Sequence, residues 1–363
     1  MTDVLIVGGG VAGSSLAIML GRKGLAVRVF EKARFPREKP CGEGLMPQGV
    51  AVLQRLGLTA AVGGCPFYGV RFQFQAQTRE AGAPKVIRFR SPGVGQRRRV
   101  LDQVLLSAAA ATYGVQVHIG TRVDGPITEK GAVVGLRVDG QEVRAPLVIG
   151  ADGAHSVIRQ QLGLNEPARR ARFGIRAHFR LRECGIELPW VEVFVGASHE
   201  IYVTPLPDRQ VAVAILAKAG AFGRHSATEF YSLCRVFPVL ASRLDGAEQI
   251  TPVLGASPLS GRARAGVACG AVLLGDAAGF LDPIAGTGMT QALITAELLA
   301  EHVAHRRSAD SGWLRSFEVE RRSMLREHRI LAQAVLWLSQ RPRLAKQLLS
   351  VPDRCPFLSQ CFL

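Results

Sequence analysis

Apolar and polar positions change period several times along this chain, and each change marks an element. Val4 to Val7 form an unbroken apolar run, the pattern of a short strand buried on both faces of a parallel sheet. Leu16, Ala17 and Leu20 then recur at helical spacing as far as Gly24, and Val27, Val29 and Phe30 rebuild a strand that finishes on Glu31. A helix is expected over about 48–56, capped by Gly57. From Tyr68 the period drops to two, with Tyr68, Val70, Phe72, Phe74 and Ala76 on one face and Arg71, Gln73 and Gln75 on the other. That alternation predicts a half-buried antiparallel strand, and a second strand over 86–90 pairs with it. Helical period returns over 98–114 through Leu101, Leu105, Ala108, Ala109 and Thr112, followed by a strand over 115–119. The runs 133–138 and 143–149 flank Asp139-Gly140, a dipeptide that favours a tight hairpin turn.

The alternating pattern then reappears and persists. Phe173, Ile175, Ala177, Phe179 and Leu181 share one face, while Arg172, Arg176, His178, Arg180 and Arg182 share the other. Further strands over 190–195, 200–204 and 210–216 complete an antiparallel sheet with one polar face. Residues 271–276 read as a last buried strand ending on Asp276, and a helix follows over 289–305. From Trp313 the chain is helical and arginine-rich, with apolar stripes at Leu331, Val335, Leu338, Leu344, Leu348 and Leu349. That tail reads as a cap over the core, with membrane-surface contact as the alternative.

The chemistry enters at the turns. Gly8, Gly10 and Gly13 stand in G-x-G-x-x-G spacing between the first strand and its helix. The first glycine permits a tight turn, the second lets backbone approach a pyrophosphate, and the third lets the helix close on the sheet. Glu31, eighteen residues past Gly13, is placed for adenosine ribose hydroxyls and disfavours a 2′-phosphate. Residues 34–44 form a loop punctuated by proline and glycine, too irregular for helix or strand.

The composition of the 363 residues, 48% hydrophobic and 20% charged, is that of a folded soluble enzyme rather than a disordered chain. The formal charge of +16 is dispersed over clusters such as Arg97-Arg98-Arg99, Arg169-Arg170, Arg306-Arg307 and Arg321-Arg322. Nucleic-acid binding concentrates such charge on one stripe with aromatics, so it is not expected here; an anionic or carrier-tethered substrate, or an anionic membrane surface, is a better use of the excess. Seven cysteines, at 41, 65, 184, 234, 269, 355 and 361, show no C-x-x-C pair, so no metal site is expected. Neither a signal peptide nor an apolar run long enough to span a bilayer is present, and a cytoplasmic location is expected.

Three separated motifs, each at a strand end, carry a family resemblance. They are Gly8-x-Gly10-x-x-Gly13 with Glu31, Gly150-Ala151-Asp152-Gly153-Ala154-His155-Ser156-x-x-Arg159, and Gly275-Asp276-Ala277-Ala278-Gly279-Phe280 with Asp282-Pro283. Together they resemble the fingerprints of FAD-dependent oxidoreductases with the para-hydroxybenzoate hydroxylase fold. That superfamily holds the single-component aromatic hydroxylases of secondary metabolism, the geranylgeranyl reductases and the flavin-dependent halogenases. The fold implied is α/β: a Rossmann-like FAD-binding domain (1–65, 96–168, 263–305), an inserted antiparallel β-sheet substrate domain (66–95, 169–262) and a C-terminal helical segment (306–363).

The resemblance implies FAD, with NAD(P)H as electron donor, and assigns residues to the cofactor. Glu31 and Lys32 end the second strand beside the adenosine. Arg98, spaced as Arg-x-x-Leu with Leu101, is similar to an arginine that contacts FAD, and the Asp152-Gly153 turn to an element that touches FAD and helps admit NAD(P)H. Gly275 and Asp276 are similar to the acid turn at the ribityl or ribose hydroxyls; Gly286, Thr287, Gly288 and Met289 to the loop and helix start that face the flavin pyrimidine edge. The pocket candidates are Cys41, Gly42, Glu43, Tyr202 and Pro283, with Cys41 read as a packing residue and neither His155 nor His178 as catalytic.

The expected reaction is NAD(P)H-dependent monooxygenation of a lipophilic or aromatic small molecule. The alternative is alkene reduction, because Phe35-Pro36-Arg37 through Pro40-Cys41-Gly42-Glu43-Gly44 is similar to the geranylgeranyl reductases. Halogenation is disfavoured because no W-x-W-x-I-P is present. A dinucleotide-binding protein without chemistry is the remaining rival.

Overall fold

The computed structural model describes residues 2–75, 84–166, 172–182, 189–218, 227–257, 259–280, 282–305, 312–339 and 341. Ala76, Arg169-Arg170, Arg306-Arg307, Cys184, Cys355, Cys361 and the stripe positions Leu344, Leu348 and Leu349 lie outside the described residues.

The fold is α/β. Val4–Val7 is buried throughout because strands flank it on both edges and layers cover both faces. Among the described residues the sheet runs Val267–Ala268, Ala271–Leu273, Leu147–Gly150, Val4–Val7, Val27–Glu31, Val115–Ile119. Its pairings are parallel except at the Val267–Ala268 edge. Helices Val11–Arg22, Arg98–Ala111 and Gly288–His305 cover one face, where Leu16, Leu20, Leu105, Leu293 and Leu299 pack into a single core. The small sheet of Val123–Glu129, Ala132–Val138 and Gln141–Arg144 covers the other, burying Leu136 against Leu5 and Val148.

A second, larger sheet stands beside the first. Its order is Glu248–Gln249, Arg172–Arg180, Gln210–Lys218, His199–Pro205, Val191–Val195, Cys65–Phe74, Lys85–Gly95, Gly44–Leu45, with Leu254–Ala256 pairing to Arg172–Arg180. It is antiparallel except that Val191–Val195 runs parallel to Cys65–Phe74. Helices Ala227–Arg235 and Pro238–Leu244, which no periodicity announced, pack on one face through Phe230, Phe237 and Leu240.

Several sequence expectations change. The polar face holding Arg172, Arg176 and His178 is covered rather than open: all three are buried, because the 38–43 loop and the Asp282 turn pack on it. Tyr68 does not share a face with Val70 and Phe72; a register shift between Phe67 and Gly69 turns it outward, leaving it 49% exposed. The apolar run after Asp139-Gly140 splits, so that Gln141–Arg144 completes the hairpin and Leu147–Gly150 enters the parallel sheet. The strand read as reaching Asp276 stops at Leu273, and Gly275, at φ +60°, opens a short 3-10 turn through Ala278. The C-terminal helix spans Gly312–Ser339 and rests on the Pro283–Ala285 turn. No helix among the described residues is long and apolar enough to cross a membrane.

Candidate active site

The glycine cradle has the geometry its spacing implies. A Cβ at Gly13 would stand 1.9 Å from Gly8 O, so only glycine lets the helix start close on the strand end. Gly10 differs: a Cβ there meets nothing nearer than Arg37 Nη2 at 3.5 Å. Helix Val11–Arg22 begins with no side-chain cap, which leaves its first amides to an anionic ligand. The buried Glu31 carboxylate accepts Gly9 N at 2.8 Å and Ala33 N at 2.7 Å, so it also braces the glycine turn, while Lys32 is exposed.

Two further turns converge on this cradle. Asp152 Oδ2 accepts Val157 N at 2.7 Å, while the buried Oδ1 has no partner among the described residues. Arg159 binds the carbonyls of Ala154, Asp276 and Ala277, fastening the Asp152-Gly153 turn to the Gly275-Asp276 turn. Asp276 Oδ2 lies 3.4 Å from Lys39 Nζ. His155, in the same motif, is exposed. Farther along, Asp282 caps Ile284 N at 3.2 Å and is gripped by Arg172 Nη1 at 2.9 and 3.0 Å. Gly286 takes φ +64°, Thr287 and Met289 are buried, and a Cβ at Gly288 would meet nothing within 4 Å. Tyr202 donates its hydroxyl to Ile284 O at 2.9 Å. Burial, with Glu200 and Asp282 nearby, holds that phenol well above its usual pKa despite Arg172, so Tyr202 stays protonated and ties the sheet to the loop.

The feature that the sequence did not disclose is the network around Glu43. This buried residue sits at φ +61°, unusual for a side chain with a Cβ. Its Oε1 accepts Arg98 N at 3.1 Å and its Oε2 lies 2.5 Å from Nε2 of the buried His178. His178 Nδ1 faces Arg176 Nη1 at 2.9 Å and Thr251 Oγ1 at 3.0 Å; a guanidinium only donates, so Nδ1 accepts and Nε2 carries the hydrogen given to Glu43. Arg176 also reaches Glu38 Oε2 at 3.1 Å and Lys39 O at 2.8 Å. Burial works against ionising Glu38, but Arg97 and Arg176 hold its carboxyl below the usual value. Beside Glu43, the Cys41 sulfur accepts Glu43 N at 3.4 Å. The Arg98 guanidinium binds Asp102 at 2.8 and 2.9 Å; burial opposes its charge, but Asp102 and Cys41 outweigh burial and raise its pKa.

These elements enclose a cavity of about 370 Å³. It is lined by Gly10, Cys41, Gly42, Glu43, Arg98, Gly153, Tyr202, Gly275, Asp276, Pro283 and the 286–289 loop, so most of the residues singled out in the sequence meet there. Gly8, Gly13, Glu31, Lys32 and Asp152 are not on its wall; the first three shape the cradle behind it. The open approaches at Gly10 and Gly288, both on the cavity wall, fit a dinucleotide laid against the backbone. No group of three or more His, Cys, Asp and Glu among the described residues is arranged for a metal ion.

Residues 1–329 match the family described as FAD binding domain, and the chain belongs to that family of flavin-dependent oxidoreductases. It is 31% identical over 312 residues to a menaquinone reductase of Mycobacterium tuberculosis, covering 82% of this chain and 76% of that one. It is 27% identical to a digeranylgeranylglycerophospholipid reductase of Methanosarcina mazei, over 82% of this chain and 74% of that one. A 6-methylpretetramide 4-monooxygenase of Streptomyces rimosus is 34% identical over 45% of this chain and 41% of its own. The structure of the flavin-dependent brominase Bmp2 superposes with a TM-score of 0.85 at 20% identity, covering 99% of this chain and 93% of that one, a likeness of fold.

Two outcomes test this arrangement. Glu43→Ala leaves the Arg98 amide and the His178 Nε2–H without their acceptor and should lower unfolding free energy by about 1–3 kcal/mol for each unpaired donor in urea titrations. An unchanged urea midpoint would contradict the network. Glu38, whose carboxyl lies below its ordinary 4.5, contributes stability that is full above that pH and lost as pH falls through the folded value. Thermal melts across that range should therefore show a shallower acid loss for Glu38→Gln than for the wild type.

Proposed function

We propose that this protein is an FAD-dependent reductase that saturates a carbon–carbon double bond in an apolar, isoprenoid-like chain, with NAD(P)H as the source of electrons. The observation that carries the reading is the far wall of the cavity, where Val70, Phe72 and Phe74 line up with Val193, Val195 and Leu216. These side chains offer neither donor nor acceptor, so they recognise a ligand by the apolar area it buries, at about 25 cal/mol per Å². The two reductase relatives, each aligned with most of this chain, support the same class of substrate.

The parallel-sheet layer (1–65, 96–168, 263–305) is assigned to the cofactor and the larger sheet (66–95, 169–262) to the substrate. Gly10 and the uncapped helix start would hold the pyrophosphate, Glu31 the adenosine ribose, and Asp276 a ribityl or ribose hydroxyl. The backbone of Gly286, Thr287, Gly288 and Met289 would lie against the pyrimidine edge of the flavin ring. Bound there, the flavin supplies two-electron chemistry. The chain's own part is to exclude water from the apolar wall and to hold the acceptor between the Cys41–Gly44 loop and Tyr202. Saturation adds a hydride equivalent drawn from NAD(P)H to one alkene carbon and a proton supplied by solvent to the other, leaving NAD(P)+.

The second reading, hydroxylation of a lipophilic or aromatic acceptor, draws on the match to the Streptomyces rimosus monooxygenase over the smaller part of the chain. Oxygen separates the two. With NAD(P)H and a polyprenyl acceptor, the reductase reading expects a product two hydrogens heavier, formed equally well under nitrogen. A product that requires oxygen and gains an oxygen atom would overturn it. The cofactor placement has its own test. Because a side chain at Gly288 would project into open space, Gly288→Val should keep the wild-type melting temperature while lowering the FAD retained on purification. Equal flavin content in both proteins would contradict the placement.

A further inference from the structure

The C-terminal helix Gly312–Ser339 carries two unlike faces. Arg321, Leu325 and Val335 line the cavity, and Phe317, His328 and Ala332 are buried. On the other side Arg315, Val319, Arg322, Arg326, Ile330 and Trp337 recur at helical spacing and are all exposed. Large apolar side chains are therefore interleaved with guanidiniums along one stripe: Val319 is 65% exposed, Ile330 42% and Trp337 48%. Arg341 Cζ sits 4.3 Å from the centroid of the Trp337 ring, adding charge at the end of the stripe. Of the nearby acids, Glu320 is engaged by His302 at 2.8 Å and Glu318 by Arg321 and Arg322, which leaves Glu327 as the exposed counter-charge.

We propose that this stripe docks the protein on an anionic lipid bilayer, with the helix lying in the plane of the interface. Alternating arginine and bulky apolar residues meet phosphate groups and the acyl boundary together, and tryptophan suits the level between them. The formal charge of +16 favours the same partner. A second copy of the chain fits less well, since a two-fold contact would bring the stripe against itself and oppose guanidinium to guanidinium. The helix that forms the stripe also forms part of the cavity wall, so docking would set that wall at the surface of the membrane.

The test is flotation of the full-length, FAD-loaded protein with vesicles of phosphatidylcholine alone or mixed with phosphatidylglycerol. The expected result is binding to the mixed vesicles at low salt, at least tenfold weaker in molar salt or without phosphatidylglycerol. Arg315→Glu with Arg326→Glu, and separately Trp337→Ser, should reduce partitioning tenfold with flavin content and melting temperature unchanged. Wild-type protein that stays unbound, or variants that bind as the wild type does, would overturn the proposal. So would sedimentation showing a wild-type dimer that the same substitutions disperse. Binding is read without turnover, so this result stands apart from the reaction assigned above.

Discussion

The two sheets of this protein meet across one buried carboxylate. Glu43 leaves the 38–43 loop in a left-handed conformation and spends both oxygens at once, one on the first amide of helix Arg98–Ala111 and one on the ring of His178. The helix belongs to the parallel-sheet layer and the histidine to the larger sheet, so Glu43, itself on the cavity wall, ties one layer to the other. A helix N-terminus, an imidazole N–H and Arg176 all face this buried side chain. Its removal would leave the Arg98 amide and the His178 ring N–H without their acceptor, and the loop that presents Cys41 and Gly42 would lose an anchor.

On the opposite side of the cavity the same problem is solved differently. Arg172 binds Asp282, and Tyr202 gives its hydroxyl to Ile284 O, so the larger sheet also fixes the loop that leads into helix Gly288–His305. Both clamps use residues from strands of the larger sheet, and both position backbone rather than reactive groups. The result is a space with polar, rigid ends and an apolar wall. In the proposed function, backbone amides there read a cofactor edge while the acceptor is held away from water.

The nucleotide cradle was legible in the sequence because backbone sterics dictate it: no residue but glycine fits where a Cβ would fall 1.9 Å from a carbonyl oxygen. The parallel strands were legible for a similar reason, since burial on both faces leaves an unbroken apolar run. The burial of Arg172, Arg176 and His178 was not legible, because a period of two separates the faces of a strand without saying what covers each one. The acids that pair with them, Glu38, Glu43 and Asp282, arrive from loops far away in the chain. Tyr68 was misplaced by a bulge that shifts register without changing composition. The residues proposed for the flavin were found individually by resemblance, but their convergence on one cavity with the Glu43 network depends on pairings between distant segments, which no local pattern encodes.

The central claim is that one cavity, braced by Glu43 and the Arg172–Asp282 clamp, holds the flavin ring against the backbone of Gly286 to Gly288 with the apolar wall beyond it. A crystal structure of the protein with FAD bound tests this most directly. The account predicts the pyrophosphate at the N-terminus of helix Val11–Arg22 and the ring in van der Waals contact with the Gly286 and Gly288 backbone, facing the Cys41–Gly44 loop. A ring turned out to solvent, or a pyrophosphate bound away from Gly10, would contradict it.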